Sequence, residues 1–297
     1  LCLAVVRSYA ALVATSFALG LAADFYRPAV NAIVADVVPV EDRPGAYGLL
    51  YWAANLGFAV STSLAGVLAE RSFTLLFVLD AATSVAFALV VAATVPETRP
   101  PRPAEAAPQA WLTPYGDGLF LAFAAAQLLV AFCFFQGAST LPLDMRAHGI
   151  APRTYGLLMA INGVLIVVLQ APVARLVARL PAGPVLALGS LLVGVGFAVA
   201  ALTGTGLPPP ALYATSIAVW TVGELFVSPL MPTVVAAHAP THLRASYQGV
   251  LQLSWGLASL LAPWSGTVLL GRHGGRAVWL VCLAAGSLAA VIHGCLA

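Results

Sequence analysis

The sequence predicts an all-α membrane protein built from related helical halves, and three observations carry that expectation. Hydrophobic residues make up 61% of the 297-residue chain and charged residues 8%, against about 25% charged in an ordinary soluble domain. Apolar runs of bilayer length, about 20 residues each, recur along the whole sequence. Finally, residues 25–69 return in outline 201 positions later, where Phe25, Pro28, Val34, Pro39, Arg43, Gly48 and Leu56 meet Phe226, Pro229, Val235, Pro240, Arg244, Gly249 and Leu257. Each copy reads as an apolar helix, a Pro/Arg turn and a second apolar helix, the pattern of duplicated membrane halves.

Taken in order, nine spans are expected, at about 9–35, 45–69, 73–95, 116–138, 153–175, 183–203, 210–236, 244–268 and 276–296, each long enough to cross a hydrocarbon core. Their boundaries have chemical causes. Pro39 with Glu41, Asp42 and Arg43 separates the first pair, Glu70 and Arg71 the next, and Pro240 with Arg244 repeats the first boundary in the second copy. The stretch from Pro96 to Pro114 is polar and rich in proline, which suits a linker between bundles rather than a folded unit. The expected organisation is therefore residues 1–95 as three spans of one bundle, 96–114 as a cytoplasmic linker, and 115–297 as a six-helix bundle. Six spans separate the two copies, so both keep the same membrane orientation. A complete parallel repeat has six spans on each side of the linker; the expectation is a twelve-helix protein whose first three helices are not in this sequence.

Charge excludes some functions. The net charge of +2 comes from 13 Arg and no Lys against 11 acids, and the basic residues form no block of the kind that binds nucleic acid. The four cysteines form no CxxC, and most lie in apolar runs, where they read as small core residues. Arginines divide evenly between the two sides of the expected topology, so the positive-inside rule assigns no orientation.

The run Gly20, Pro28, Ala35–Asp36, Pro39, Arg43, Gly48, Asn55 and Gly57 resembles the fourth and fifth helices of the major facilitator superfamily, particularly its drug:proton antiporter branch. Pro96–Glu97–Thr98 is similar to the end of that family's sixth helix. Leu141–Pro142–Leu143, Tyr155–Gly156, Asn162 and Gln170 resemble its seventh and eighth, and Gly223–Glu224, Pro229, Pro240 and Arg244 its tenth helix and following turn. Two positions depart from the pattern: Ser16 stands where the family usually has Arg, and no Gly-Pro pair follows Gly57. The resemblance implies a multi-pass protein of the inner or plasma membrane, working as a monomer without cofactor, with the linker and Ala297 in the cytoplasm. It also implies alternating access, with a small molecule, protons and the lipid bilayer as partners, and multidrug efflux by proton antiport as the expected activity.

Ionisable groups inside spans carry the functional expectation, because a charge at the helix centre costs about 2.5–3.5 kcal/mol on insertion scales. Glu224 shares one helix face with Tyr213, Ile217, Trp220 and Ser228. It reads either as a proton-exchanging or substrate-contacting acid on a cavity wall, or as a neutral hydrogen-bonding anchor. Asp24 and Arg27 lie three apart in the first span, close enough to pair along one helix. Asp24 falls at nearly the depth of Glu224 in the other half, so the two acids either approach one cavity or Asp24 merely compensates Arg27. Tyr213, Trp220, Gln127 and Phe134 are the candidate substrate-cavity residues; Gln127 reads equally as a helix-to-helix hydrogen bond. Pro39, Arg43, Pro240 and Arg244 are turn-forming. Asp80 and Asp117 read as interfacial or capping groups. His238 and His242 have a metal-like spacing, but Pro240 between them breaks the helix that would align them, so no metal is expected.

An enzyme reading stands beside the transporter. Intramembrane prenyltransferases share this size and span count, yet need acidic clusters to hold magnesium and diphosphate. Here Asp36, Glu41 and Asp42 form the only acidic concentration, with Arg43 immediately after, and HExxH and GxSxG are absent. The expectation is not an enzyme. A non-transporting remnant of a transporter is the third alternative.

Overall fold

A computed structural model describes residues 2–6, 8–95 and 112–296, excluding the side chains at 3–4, 21, 23–25, 27–28, 58–59, 61–71, 73 and 152–153. All of its regular structure is helical: α1 (Cys2–Val5), α2 (Tyr9–Val37), α3 (Arg43–Arg71), α4 (Phe73–Thr94), α5 (Thr113–Gly116), α6 (Gly118–Ser139), α7 (Leu141–Ala147), α8 (Pro152–Val177), α9 (Ala182–Ala200), α10 (Pro209–His238), α11 (Arg244–His273) and α12 (Gly275–Cys295). Among the described residues, seven helices are long and apolar enough to cross a membrane, from α4 and α6 through α8 to α12. The two other expected spans form the 29-residue helices α2 and α3, but many of their side chains lie outside the described set and they are not among the seven. The polytopic membrane class stands. Most of the expected linker, 96–111, lies outside the described residues.

Local chemistry sets the helix ends. Ser72 begins α4 by accepting from the Leu75 N–H at 3.3 Å, and Asp117 begins α6 by accepting from the Phe120 N–H at 3.0 Å, each satisfying a donor that the first helical turn leaves free. Asp117 thus caps as expected, whereas Asp80 lies well inside α4 on an exposed face. Pro152 and Pro209 occupy first-turn positions, where their missing N–H costs nothing. Between α11 and α12 the chain reverses at Gly274, whose φ of +76° is accessible to glycine at little cost.

The repeat is visible in the backbone. α2 ends at Val37 and α10 at His238; 3-10 turns follow at Val40–Asp42 and Thr241–Leu243; α3 and α11 begin at Arg43 and Arg244. All of these boundaries keep the 201-residue spacing. The two turns lie side by side on the face where the chain leaves α4 and re-enters α6, here termed the linker side; α7, Gly149 and Gly274 lie on the far side. The placement of both turns on one side is that of a parallel repeat.

Packing is tightest where glycines let backbones approach. A Cβ at Gly196 would stand 2.4 Å from the Trp220 backbone nitrogen, and one at Gly286 would stand 2.6 Å from Gly194 Cα. Such seams drive helix association where lipid removes the hydrophobic incentive. They clamp α9 between α10 and α12. α10 is the most buried of the membrane-length helices, while no residue in the most apolar stretch of α4 is fully buried. On the other flank, α3 packs against α8 and α10, and α2 against α11. The N-terminal helices therefore meet the C-terminal bundle along one seam.

Candidate functional site

Glu224 lies on this seam. Its Oε1 accepts a hydrogen bond from the Tyr51 hydroxyl of α3, and its Oε2 accepts from Asn162 Nδ2 of α8 at 2.9 Å. Asn162 also donates to Thr221 Oγ1 at 3.1 Å, and Thr221 donates to the Ile217 carbonyl at 2.6 Å. Asn55, one turn beyond Tyr51, donates to the Tyr51 carbonyl at 2.9 Å. One carboxyl group is thus held by donors from both sides of the seam. When the carboxyl is ionised, bonds of this kind are roughly twice as strong as neutral ones. Any movement of α3 against α8 has to break or remake them.

The remaining candidates separate into distinct environments. Trp220 is buried between Phe197, stacked at 5.6 Å, and Phe134, edge-on at 6.1 Å; Phe134 in turn stacks on Trp255 at 5.9 Å. These rings form a ladder across α9, α10, α6 and α11, with Phe134 and Trp255 as its partly exposed end. Tyr213 is fully buried, eleven residues from Glu224 along α10 or about 16 Å of helix, and its hydroxyl donates to Asp144 Oδ2 at 2.9 Å. Gln127 is also fully buried, with its amide 3.1 Å from His293 Nε2, inside the C-terminal bundle. Asp24 and Arg27 lie on α2, but their side chains are outside the described set.

On the linker side, Arg43 is buried and donates to the Ala35 carbonyl at 2.7 Å and the Val38 carbonyl at 3.2 Å, closing its own turn. Its counterpart Arg244 reaches across the seam to Asp36 Oδ1 at 2.6 Å and the Ala35 carbonyl at 3.1 Å. Pro39 and Pro240 each precede a 3-10 turn. Behind Arg244, Asp117 Oδ2 is met by His238 Nε2 at 2.6 Å and by the Tyr247 hydroxyl at 3.1 Å. The Phe120 N–H holds the Asp117 carboxyl below its usual range against an upward push from burial, and the His238 and Tyr247 bonds add to the lowering. His238 ends α10 and His242 lies in the following turn, so the break expected at Pro240 is present.

Two clusters escaped the sequence reading. Asp144, 1% exposed in α7, accepts from Tyr213 and from Trp279 Nε1, the latter at 2.8 Å, with His148 Nδ1 at 3.6 Å. Its signal was present as an acid and a histidine four apart beside Leu141–Pro142, in a segment that reads as a span boundary. Tyr51 gave less: one tyrosine on an apolar helix, which at the repeat offset meets another polar residue, Gln252.

Comparison with known proteins places this geometry in a family. The model of the Major Facilitator Superfamily matches residues 1–263. Two Bacillus subtilis (strain 168) proteins, both described as uncharacterized MFS-type transporters, are similar: YqjV is 23% identical over 280 residues, covering 90% of this chain and 66% of YqjV, and YttB is 26% identical over 262 residues, covering 86% and 64%. A Na(+), Li(+), K(+)/H(+) antiporter from Planococcus maritimus is 25% identical over 274 residues, covering 82% of this chain and 64% of the relative. This chain therefore spans just under two thirds of the length of the relatives it matches. Their names are those of transporters, which sets aside the intramembrane prenyltransferase. With a family match over most of its length and helices of membrane length throughout, the chain belongs to the major facilitator superfamily.

Proposed function

We propose that the chain carries the cavity and coupling residues of a secondary transporter that exports small amphipathic compounds against proton entry, by alternating access of two bundles about the α3–α8 seam. The observation that supports this best is Glu224, an intramembrane carboxyl held at once by Tyr51 and Asn162 from opposite sides of the seam. In this reading a proton arriving at Glu224 removes its charge and turns one acceptor oxygen into a donor, weakening the bonds that join the bundles. At the outer face the proton is taken up as substrate leaves, and at the inner face its release readies the site for the next substrate. Arg244 with Asp36 and the Ala35 carbonyl holds the linker side closed, and the partly exposed Phe134–Trp255 stack offers an aromatic face to a lipophilic or cationic cargo. Asp24 and Arg27 are proposed to contribute at similar depth from α2. The drug:proton branch, the cytoplasmic placement of residues 96–114, the division into bundles at 1–95 and 115–297, the inner membrane and a monomeric state belong to the same proposal.

Inorganic cations are the second reading. Glu224, Asn162 and Thr221 form an oxygen- and amide-rich shell, while Trp220 is packed into its own ladder. A relative named as a monovalent-cation/proton antiporter supports it at low identity. Proteoliposomes under an imposed pH gradient test both: flux of an amphipathic dye that is unaffected by sodium supports the first, and sodium-driven proton release without dye flux supports the second. Absence of both in a folded, full-length protein overturns the transporter proposal.

A further inference from the structure

On the linker-side half of the seam, α3 and α8 part to leave a largely apolar cavity of about 470 Å³. Its α3 wall is Gly45, Gly48, Leu49 and Trp52, spaced i, i+3, i+4 and i+7; its α8 wall includes Gln170, Ala174 and Arg175. The small residues create it, since a Cβ added at Gly45 meets nothing within 4 Å, while one at Gly48 touches Ala174 and Gln170.

Two features give the cavity chemical direction. Gln170 is 1% exposed, yet neither its Oε1 nor its Nε2 has a hydrogen-bond partner. Buried amides rarely go unpaired, because an unsatisfied group bears its full desolvation penalty. Five residues further on, nearer the membrane surface, Arg175 is exposed, and among the described residues no carboxylate pairs with it. A groove with apolar walls, an amide at mid-leaflet depth and a free guanidinium at its mouth is graded like a lipid: acyl chain, ester, headgroup.

We propose that this cavity binds an acidic phospholipid from the linker-side leaflet. Its phosphate pairs with Arg175, a glycerol ester carbonyl accepts from Gln170 Nε2, and an acyl chain lies against Leu49 and Trp52. Basic pockets between membrane helices select anionic headgroups in this way. The proposal is independent of what the protein transports; it needs only that the chain spans a bilayer.

The test uses Trp52 as reporter. The purified full chain in phosphatidylcholine nanodiscs is titrated with phosphatidylglycerol carrying brominated acyl chains, and the fluorescence of Trp52→Phe is subtracted from that of the wild type. The difference signal is quenched at low mole fraction of brominated phosphatidylglycerol. Arg175→Gln raises the half-quenching fraction about fivefold, the equivalent of roughly one surface cation. Gly45→Leu, which fills open space and improves helix propensity, abolishes the saturable component with folding retained. Equal quenching by brominated phosphatidylcholine, unchanged quenching in both variants, or displacement by millimolar inorganic phosphate would overturn the assignment, the last by making it a free-anion site.

Discussion

Arg43 and Arg244, matched residues of the two repeat copies, donate to the same acceptor, the Ala35 carbonyl oxygen, at 2.7 and 3.1 Å. A carbonyl has two lone pairs and can hold both. The duplication has nevertheless diverged in use. Arg43 turns inward and closes its own turn through Val38, whereas Arg244 adds the Asp36 carboxylate and ties the second copy to the first.

Arg244→Gln is expected to open the linker side. The partners are 16% and 14% exposed, between the solvated pairs worth under about 1 kcal/mol and the buried charged bonds worth about 1.5–3. A contribution of about 1–2 kcal/mol means about tenfold more of the open state. A cysteine at Val34, labelled by a membrane-impermeant reagent from the linker side, should react correspondingly faster in Arg244→Gln and in Asp36→Asn. The double variant should add little to either. Arg43→Gln should instead lower thermal stability, because it strips a buried turn of its donors.

Glu224→Gln keeps size and polarity but cannot titrate. Proton-driven flux should fall by at least tenfold with expression and folding retained. A purely structural, permanently neutral glutamic acid predicts near-wild-type flux, since Gln is then close to isosteric. Tyr51→Phe gives the complementary result: Glu224 stays titratable but loses its donor from α3, so the pH dependence of flux should shift while transport persists.

Asp117 supplies a pH-dependent tie from the start of α6 to the end of α10 and the start of α11. Its carboxyl is held below the usual range. A lowered folded value means the stabilisation is complete above the unfolded carboxylate range, about pH 4, and is lost as pH falls through the lower folded value. Thermal stability measured from pH 3 to 7 should show the wild type above Asp117→Asn at neutral pH, converging below about pH 4. Because Asn also caps helices well, the difference isolates the charge from the cap. A constant gap across that range would remove the assignment.

How much of this was legible in the sequence depends on the range of the interaction. Helix limits were readable to within a few residues because a bilayer fixes helix length and because Pro39 and Pro240 stand with charged residues at polar turns, unlike Pro229 and Pro232, which lie inside α10. The break between His238 and His242 followed for the same reason. Partnerships were not readable, since they join residues brought together only by packing. Asp36 and Arg244 were each visible, but their pairing requires the two turns to lie side by side. Tyr213 shares a helix face with Glu224, yet α10 is long enough that the two belong to different clusters. Gln127 was visible as a polar residue in a span, but only the approach of α12 shows that His293 takes its amide.

The far side offers the most severe test of packing. Asp144 sits against Gly275 so closely that a Cβ there would stand 2.0 Å from Oδ1, and its carboxylate accepts from Tyr213 and Trp279. The helix-linking segment α7 is thereby pinned to the starts of α10 and α12. Gly275→Ala should expel the carboxylate, leaving the Trp279 donor unpaired and the Tyr213 hydroxyl with only His148 Nδ1, 3.1 Å away, as Asp144→Ala does directly. Buried donors without acceptors cost about 1–3 kcal/mol each, so both variants should lower the melting temperature by several degrees in detergent. Asp144→Asn can place its amide carbonyl where Oδ2 now accepts from both donors and should lose less. The order wild type, Asp144→Asn, then Asp144→Ala with Gly275→Ala, read by scanning fluorimetry, checks the arrangement. If Gly275→Ala alone is as stable as wild type, the close approach of α12 to Asp144 is wrong.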